Sequence, residues 1–301
     1  MGWQLNCRPS FTIMILVTGA AGKTGRAIIR ALAKRGETVR AWVHRSDQVT
    51  SLEALGVEDV LVGDWLDQAS MERAVQGVRA IYHFAPNVSP DEVTIGRNVI
   101  AAAQSADVER FVFHSVLHPQ IEAMPHHWQK MRVEELLLES GLPITILQPA
   151  AYMQNVLASW NQIIENGRYV IPYSPETRLS LVDLDDVAQA AAIVLTEPGH
   201  IGATIELVGT RAMSQVEIAQ MLADQLERPV EAEFISLDAW ERVARASGLG
   251  DYQVLTLIKM FCYYESHGFS GNSNALGFLL GRQPTSFAEF VKRRKNDLRI
   301  G

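Results

Sequence analysis

The chain has 301 residues, 48% of them hydrophobic and 20% charged, with a formal net charge of −7. That length suits a core domain with an appended lobe. The acidic balance lacks any long Lys/Arg block, which excludes a duplex-binding face; the short basic stretch at Lys292–Lys295 reads as a solvated helix end. Cys7 and Cys262 fit no redox or metal spacing, so a reducing compartment, the cytoplasm, is expected without a disulfide framework. No apolar run is long enough to span a bilayer, so no membrane partner is expected.

Residues 1–12 read as a loose leader. They do not read as a signal peptide, because the apolar run that follows leads straight into a glycine turn. Met14 offers an alternative start, and the sequence leaves open whether residues 1–13 belong to the native chain. Ile13–Thr18 predicts a buried strand, and Lys23–Lys34 a helix. Between them, the turn Gly19-Ala20-Ala21-Gly22-Lys23-Thr24-Gly25 carries a GxxGxxG spacing. A strand, a glycine turn and a helix start can bring bare N–H groups against a diphosphate. The plainer reading is an ordinary glycine turn.

Strands follow at Thr38–Val43, Asp59–Val62, Ala80–Ala85, Arg110–Ser115 and Ile144–Gln148. Helices alternate with them at Val49–Leu55, Ala69–Val75, Glu92–Ser105 and His127–Glu139. Gly36, Gly56, Gly77 and Gly141 stand just past helix ends, where a left-handed cap is wanted. The second strand ends without a carboxylate, in His44-Arg45-Ser46. Arg45 offers a planar cationic fork for a 2′-phosphate and Lys23 a second charge, so NADP(H) is the expected cofactor; Arg45 as a plain surface residue is the alternative. Asp64, beside Trp65, suits the adenine amino group or the cap of the next helix. Phe84-Ala85-Pro86 would pass the adenine ribose and diphosphate, where a small Ala85 permits close approach.

After Pro149 the rhythm changes. Residues 151–176 read as irregular, Leu179–Leu195 as a short strand and an Ala-rich helix, and Thr204–Val208 as one more strand. Residues 211–301 read as mostly helical, at Ser214–Leu226, Leu237–Ala246, Tyr252–Ser266 and Phe287–Arg293. Ser214 with Glu217 is a capping-box signature. Strand–helix alternation with apolar strands predicts an α/β doubly wound parallel sheet. Residues 13–150 would form the nucleotide-binding domain, with 177–209 completing the sheet. Residues 151–176 and 210–301 would form a smaller, mostly helical C-terminal substrate lobe.

These residues resemble the short-chain dehydrogenase/reductase superfamily in its atypical NmrA-like branch. The matches are VTGAAGKTG at 17–25, GDW at 63–65, FHS at 113–115, Lys130 with Glu134, GLPITILQPAAYMQN at 141–155 and LLGRQPTSFAEFV at 279–291. The resemblance runs from Ile13 over nearly the whole chain. It implies an NAD(P)-binding Rossmann fold and a C-terminal lobe closing over a substrate cleft. It also implies company that includes NADPH-dependent quinone, dye and isoflavone-type reductases, and cofactor-binding regulators.

Superfamily members use Ser, Tyr and Lys in a YxxxK pattern. Ser115 stands at the Ser position and Lys130 at the Lys position, but the Tyr position holds His126. An imidazole four residues before Lys130 shares its helix face and could donate a proton, although the ammonium disfavours its charged form. The alternatives are an exposed histidine at a helix entrance, a Lys130–Glu134 surface pair, and a Ser115 that merely satisfies backbone groups. The histidines at 114, 118, 126 and 127 lack zinc-enzyme spacing, so no metal is expected.

On the substrate side stand Tyr152, Met153 and Asn155, with Ala150, Tyr169 and Tyr173. Tyr263, Tyr264 and Phe269 would close over a flat apolar ligand. The reading is an NADPH-dependent oxidoreductase acting on a quinone-like or conjugated carbonyl compound. A non-catalytic NADP(H)-sensing regulator that binds a partner protein is the alternative. An isomerase ranks last, because such members keep the Tyr. A homodimer is left open.

Overall fold

The computed structural model describes residues 14–300. The expectations for Cys7, the leader and Ile13 lie outside the described residues. The sheet strands are β1 (Met14–Val17), β2 (Thr38–Val43), β3 (Asp59–Val62), β4 (Val78–His83), β5 (Arg110–His114), β6 (Ile144–Pro149) and β7 (Thr204–Leu207). All run parallel, in the order β7-β6-β5-β4-β1-β2-β3. The first helices are α1 (Lys23–Ala33), α2 (Val49–Glu53), α3 (Gln68–Val75), α4 (Glu92–Ser105), α5 (Pro125–Glu139) and α6 (Trp160–Asn166). They are followed by α7 (Leu184–Thr196), α8 (Gln215–Leu226), α9 (Leu237–Ala246), α10 (Asp251–His267), α11 (Asn274–Leu280) and α12 (Phe287–Ile300).

The two-residue period of a strand explains the double winding. Ile15 and Val17 face one core, against Ile28 and Leu32 of α1 and Val187 and Ala191 of α7. Leu16 faces the other, against Met71 of α3, Ile95 and Val99 of α4, and Val133 and Leu137 of α5. With both faces covered, every strand residue can be apolar, and each fully buried aliphatic side chain contributes about 1.5–3 kcal/mol. The strand order reverses between β1 and β4, which opens a crevice at the carboxyl ends of those strands.

The glycines at 36, 56, 77 and 141 take the left-handed conformation. Ser214 and Glu217 close the capping box, with Glu217 N donating to Ser214 Oγ (3.2 Å) and Ser214 N to Glu217 Oε2 (2.8 Å). Several boundaries shift by a residue or more, and two of those shifts and one segment bear on the site. β4 ends at His83, because the Phe84 N–H donates to Thr18 Oγ1 (2.9 Å) and leaves the ladder. α5 starts at Pro125, whose missing N–H costs nothing at the first helical position. Residues 151–176 are not irregular: they hold a 3-10 stretch (Met153–Ser159), α6 and a strand (Arg168–Ile171). That strand pairs in parallel with Glu231–Phe234, inside the stretch read as helical. The buried Tyr169 and Ile171 alternate with more exposed neighbours, a pattern too short to show before its distant partner is known.

Two fully buried carboxylates join the C-terminal segment to the start of α7. Asp186 accepts from Arg282 (2.6 Å) and Thr285 N (2.6 Å), and Asp183 accepts from Arg293 (2.5 Å). Gln154 reaches the same place, donating to Asp183 Oδ1 (2.7 Å) and accepting from Leu184 N (3.1 Å). This fixes the chain leaving β6, which carries Tyr152, Met153 and Asn155. Among the described residues, no helix is long and apolar enough to cross a membrane.

Candidate functional site

The crevice begins at the turn after β1. Thr18 Oγ1 lies 3.1 Å from His83 Nδ1 and accepts from Phe84 N, so it ties the ends of β1 and β4 together. Gly19 has φ +62°, and a Cβ there would stand 2.8 Å from the Phe84 carbonyl oxygen. A Cβ on Gly25 would stand 2.5 Å from Gly19 O and 2.6 Å from Ala20 Cα. Ala20 and Gly25 therefore lie beneath the turn, while Gly19, Ala21, Gly22, Lys23 and Thr24 line the cleft. Gly22 begins α1 with no side-chain cap, and the first turn holds no acid. The first N–H groups of α1 thus meet no side chain at an electropositive helix end, an arrangement that fits a phosphate.

Around the rim, the Arg45 fork is occupied by Asp47, through Nε–Oδ1 (3.0 Å) and Nη2–Oδ2 (2.7 Å), with both side chains exposed. Asp64 accepts from Leu66 N (3.0 Å). It does not cap α3: Asp67 does, accepting from Ala69 N and Ser70 N (3.1 and 3.2 Å). Trp65 packs against Trp42 with ring centroids 4.6 Å apart. Phe84, Ala85 and Pro86 continue the wall.

Lys130 does not pair with Glu134 on a helix surface. Its ammonium donates to Glu92 Oε1 (2.8 Å) and to the His114 carbonyl (3.3 Å), and lies 5.7 Å and 5.3 Å from the ring centroids of Phe84 and Phe113. Glu134 turns inward instead. It accepts from the Ser115 hydroxyl and, at 3.0 Å on each oxygen, from Gln148 Nε2. Burial raises the Glu134 carboxyl against those hydrogen bonds. His126 is half-buried on the cleft wall with Lys130. Desolvation, then the Lys130 charge, lowers it to about 4. It is a neutral imidazole at pH 7, which removes its value as a charged proton donor.

A third constellation crosses the cleft floor. Tyr82 and His114 share one sheet face, since Tyr82 pairs with Val112 two residues before His114. Tyr82 Oη contacts His114 Nδ1, and Tyr152 Oη lies 2.7 Å from His114 Nε2. The Lys23 ammonium sits 5.6 Å from the centroid of the Tyr152 ring and donates to Asn155 Oδ1 (3.3 Å). Desolvation, with Lys130 second, holds His114 at about 3, and burial raises both phenols.

Beyond Tyr152 and Met153 the cleft widens into an aromatic end. Phe261 stands against Trp240 (4.8 Å) and Tyr173 (5.9 Å), and Tyr264 stands edge-on to Tyr173 (6.2 Å). The whole space is about 1550 Å³, continuous from the glycine turn to these rings. Tyr263 and Phe269 do not line it. Phe269 is buried against His118, His127 and Tyr264, and Tyr263 packs on His267. Residues that the sequence reading missed are His114, Glu92, Trp240 and Phe261. For His114 a signal existed, the alternation that places it on the same face as Tyr82; for the others there was none. Among the described residues, no three His, Cys, Asp or Glu side chains are placed to hold a metal ion.

The model of the NmrA-like family matches residues 12–291. The chain belongs to the NmrA-like family. It is similar to the NAD(P)H azoreductase of Xenophilus azovorans, with 28% identity over 281 residues, 93% of this chain and 97% of that protein. Among solved structures, this NmrA-like chain matches the NADPH-dependent quinone oxidoreductase of Escherichia coli complexed with NADPH. That match has a TM-score of 0.81 at 28% identity, covering 94% of this chain and 100% of that one. It also matches the triphenylmethane reductase of Citrobacter sp. complexed with NADP(H), with a TM-score of 0.80 at 25% identity, covering 93% and 99%.

Proposed function

We propose that the protein is an NADPH-dependent reductase that passes hydride to a flat conjugated acceptor, a quinone or a related carbonyl or dye. One observation carries this reading: a single cleft of about 1550 Å³ joins a glycine turn with an uncapped helix start to a cage of aromatic rings. The relatives support it, since their names describe an azoreductase, a quinone oxidoreductase and a dye reductase. The nicotinamide, when bound, supplies the hydride. The protein supplies alignment and exclusion of water.

Gly19, Ala21, Gly22, Lys23 and Thr24 would hold the diphosphate. Asp64, Trp65, Phe84, Ala85 and Pro86 would flank the adenosine half. Lys130, kept in place by Glu92, would face the nicotinamide ribose, with Ser115 and the neutral His126 beside it. Tyr152, Met153 and Asn155, with the cage of Tyr173, Phe261 and Tyr264, would hold the acceptor. The test is consumption of NADPH, followed by absorbance, across a panel of quinones, azo dyes and triarylmethane dyes. Oxidation with at least one class supports the reading. NADPH binding by calorimetry with no turnover on any acceptor overturns it in favour of a dinucleotide-sensing regulator.

Arg45 is the proposed reader of the 2′-phosphate. Its pairing with Asp47 is exposed and screened by solvent, and a dianionic phosphate outcompetes one carboxylate for the same fork. Arg45→Ala is expected to weaken NADPH about tenfold or more while leaving NADH within twofold. Asp47→Asn is expected to tighten NADPH severalfold. Calorimetric titration of both coenzymes checks this, and an unchanged NADPH-to-NADH ratio in Arg45→Ala removes the role.

A further inference from the structure

The hydroxyl of Tyr82 is fully buried, and its one hydrogen-bond partner among the described residues is His114 Nδ1. A neutral imidazole carries a single N–H. If that hydrogen sat on Nδ1, the Tyr82 hydroxyl would accept it and leave its own hydrogen unpaired in a dry interior, which is costly. The satisfied arrangement is the reverse: Tyr82 donates to Nδ1, so the hydrogen of His114 sits on Nε2 and is donated to the oxygen of Tyr152. The Thr24 hydroxyl also bonds Tyr152 and can donate to the same oxygen, so the hydrogen of Tyr152 has no claim from His114 and is left for the cleft that Tyr152 lines. Lys23, beside the ring, is donor-only and cannot take it.

We propose that Tyr152, held as a donor by His114 and Tyr82, hydrogen-bonds the oxygen of the acceptor carbonyl and stabilises the negative charge that hydride transfer creates there. This rests on the reductase reading and deepens it. The electron pair of the hydride forms the new bond to the acceptor, the conjugated C=O pair moves onto oxygen, and water supplies the final proton. Tyr152 stays protonated throughout, as its raised phenol requires, so it acts by a fixed dipole. Tyr152 is the contact residue; His114 and Tyr82 are positioning residues. The device stands outside the YxxxK positions and gives the cleft an electrophile despite His126. It also selects among acceptors. A quinone gains an oxyanion and needs the donor, whereas a cationic triarylmethane dye takes hydride at carbon, loses its charge and does not.

Three measurements test the proposal. In the protein without coenzyme, 15N NMR of His114 is expected to show an unprotonated Nδ1 and a protonated Nε2, with the tautomer disturbed in Tyr82→Phe; the opposite tautomer in the wild type overturns the relay. Infrared difference spectra of 13C-carbonyl menadione bound without coenzyme are expected to show a lowered C=O stretch that Tyr152→Phe restores; identical spectra overturn the contact. With NADPH, Tyr152→Phe is expected to lower kcat/KM for menadione about 100-fold and to leave a cationic triarylmethane dye within about threefold. Tyr82→Phe should follow the same split more weakly. Equal losses on both acceptors, or a matching loss of NADPH affinity, would assign the hydroxyl to the coenzyme and overturn the proposal. A wild type that oxidises no NADPH sinks the reductase reading, while the infrared result still decides whether Tyr152 donates to a carbonyl in this cleft.

Discussion

Replacing Gly25 by alanine is expected to abolish measurable coenzyme binding and to lower the melting temperature by several degrees. The added Cβ would lie 2.5 Å from Gly19 O, 2.6 Å from Ala20 Cα and 2.7 Å from Ala20 O. All three are backbone atoms, so no side chain can rotate out of the way. α1 must move off the turn, and overpacking of this kind costs about 1–3 kcal/mol. The movement also displaces the first N–H groups of α1 from the place where a phosphate would meet them. Gly22→Ala is the control. Gly22 has an ordinary φ of −72°, and its added Cβ would meet only Gly19 O, at 3.5 Å. That variant should melt with the wild type. Any loss of NADPH affinity in it then reports close approach of ligand to the turn. Calorimetry and thermal unfolding on both variants decide the matter: wild-type affinity in Gly25→Ala would mean that the turn does not hold the coenzyme.

The strand–turn–helix unit at the start of the chain was legible because each residue there obeys a local rule. β-branched residues stop where the glycines begin, and the helix opens without a capping side chain. The parallel sheet was legible for a similar reason: buried strands read as apolar runs, and left-handed glycines punctuate the helices. What escaped was set by distant partners. Lys130 and Glu134 are four apart on one helix, which suggests a surface pair. Yet Glu92, thirty-eight positions away, takes the ammonium, and Ser115 with Gln148 takes the carboxylate. Arg168–Ile171 becomes a strand only because Glu231–Phe234 runs beside it. Tyr263 and Phe269 were equal candidates with Tyr264 on composition, but the rotation of α10 turns Tyr264 and not Tyr263 to the cleft, and Phe269, past the end of that helix, is fixed by its backbone bond to Arg178. His126 was visible as a departure from YxxxK. The Lys130 charge that disfavours its protonated form was legible in the four-residue spacing; the burial that is the larger cause of its neutrality was not.

The same burial predicts a steep loss of stability in mild acid. His83, His114 and His127 are held at about 3, and His126 at about 4, against 6.5 in a free chain. Desolvation is the first cause in each case. The Lys130 charge comes second for three of them, and the neighbouring His126 comes second for His127. Below pH 6.5 the unfolded chain takes up protons that the folded protein refuses. Stability is therefore full above pH 6.5 and drains as the pH falls from there towards 4 and 3. One such histidine contributes up to about 1.4 kcal/mol per pH unit inside that window, and the four together at most about 5. The raised carboxyl of Glu134 acts in the opposite sense but is a single group. Since a domain has about 5–15 kcal/mol in total, unfolding near pH 5 is expected, before most surface carboxylates titrate. Urea unfolding from pH 8 to pH 5 should show a level midpoint down to about pH 7 and a steep fall below it. His83→Phe tests the cause. His83 stacks on Phe113 and has a buried Nε2 without a partner, so a ring of similar shape fills its place at the loss of the Thr18 contact. The variant should show a shallower acid slope, by about 1 kcal/mol per pH unit. A midpoint that stays level from pH 7 to pH 5 in the wild type would show that these imidazoles exchange protons freely with water, and that the floor of the cleft is open where the packing says it is closed.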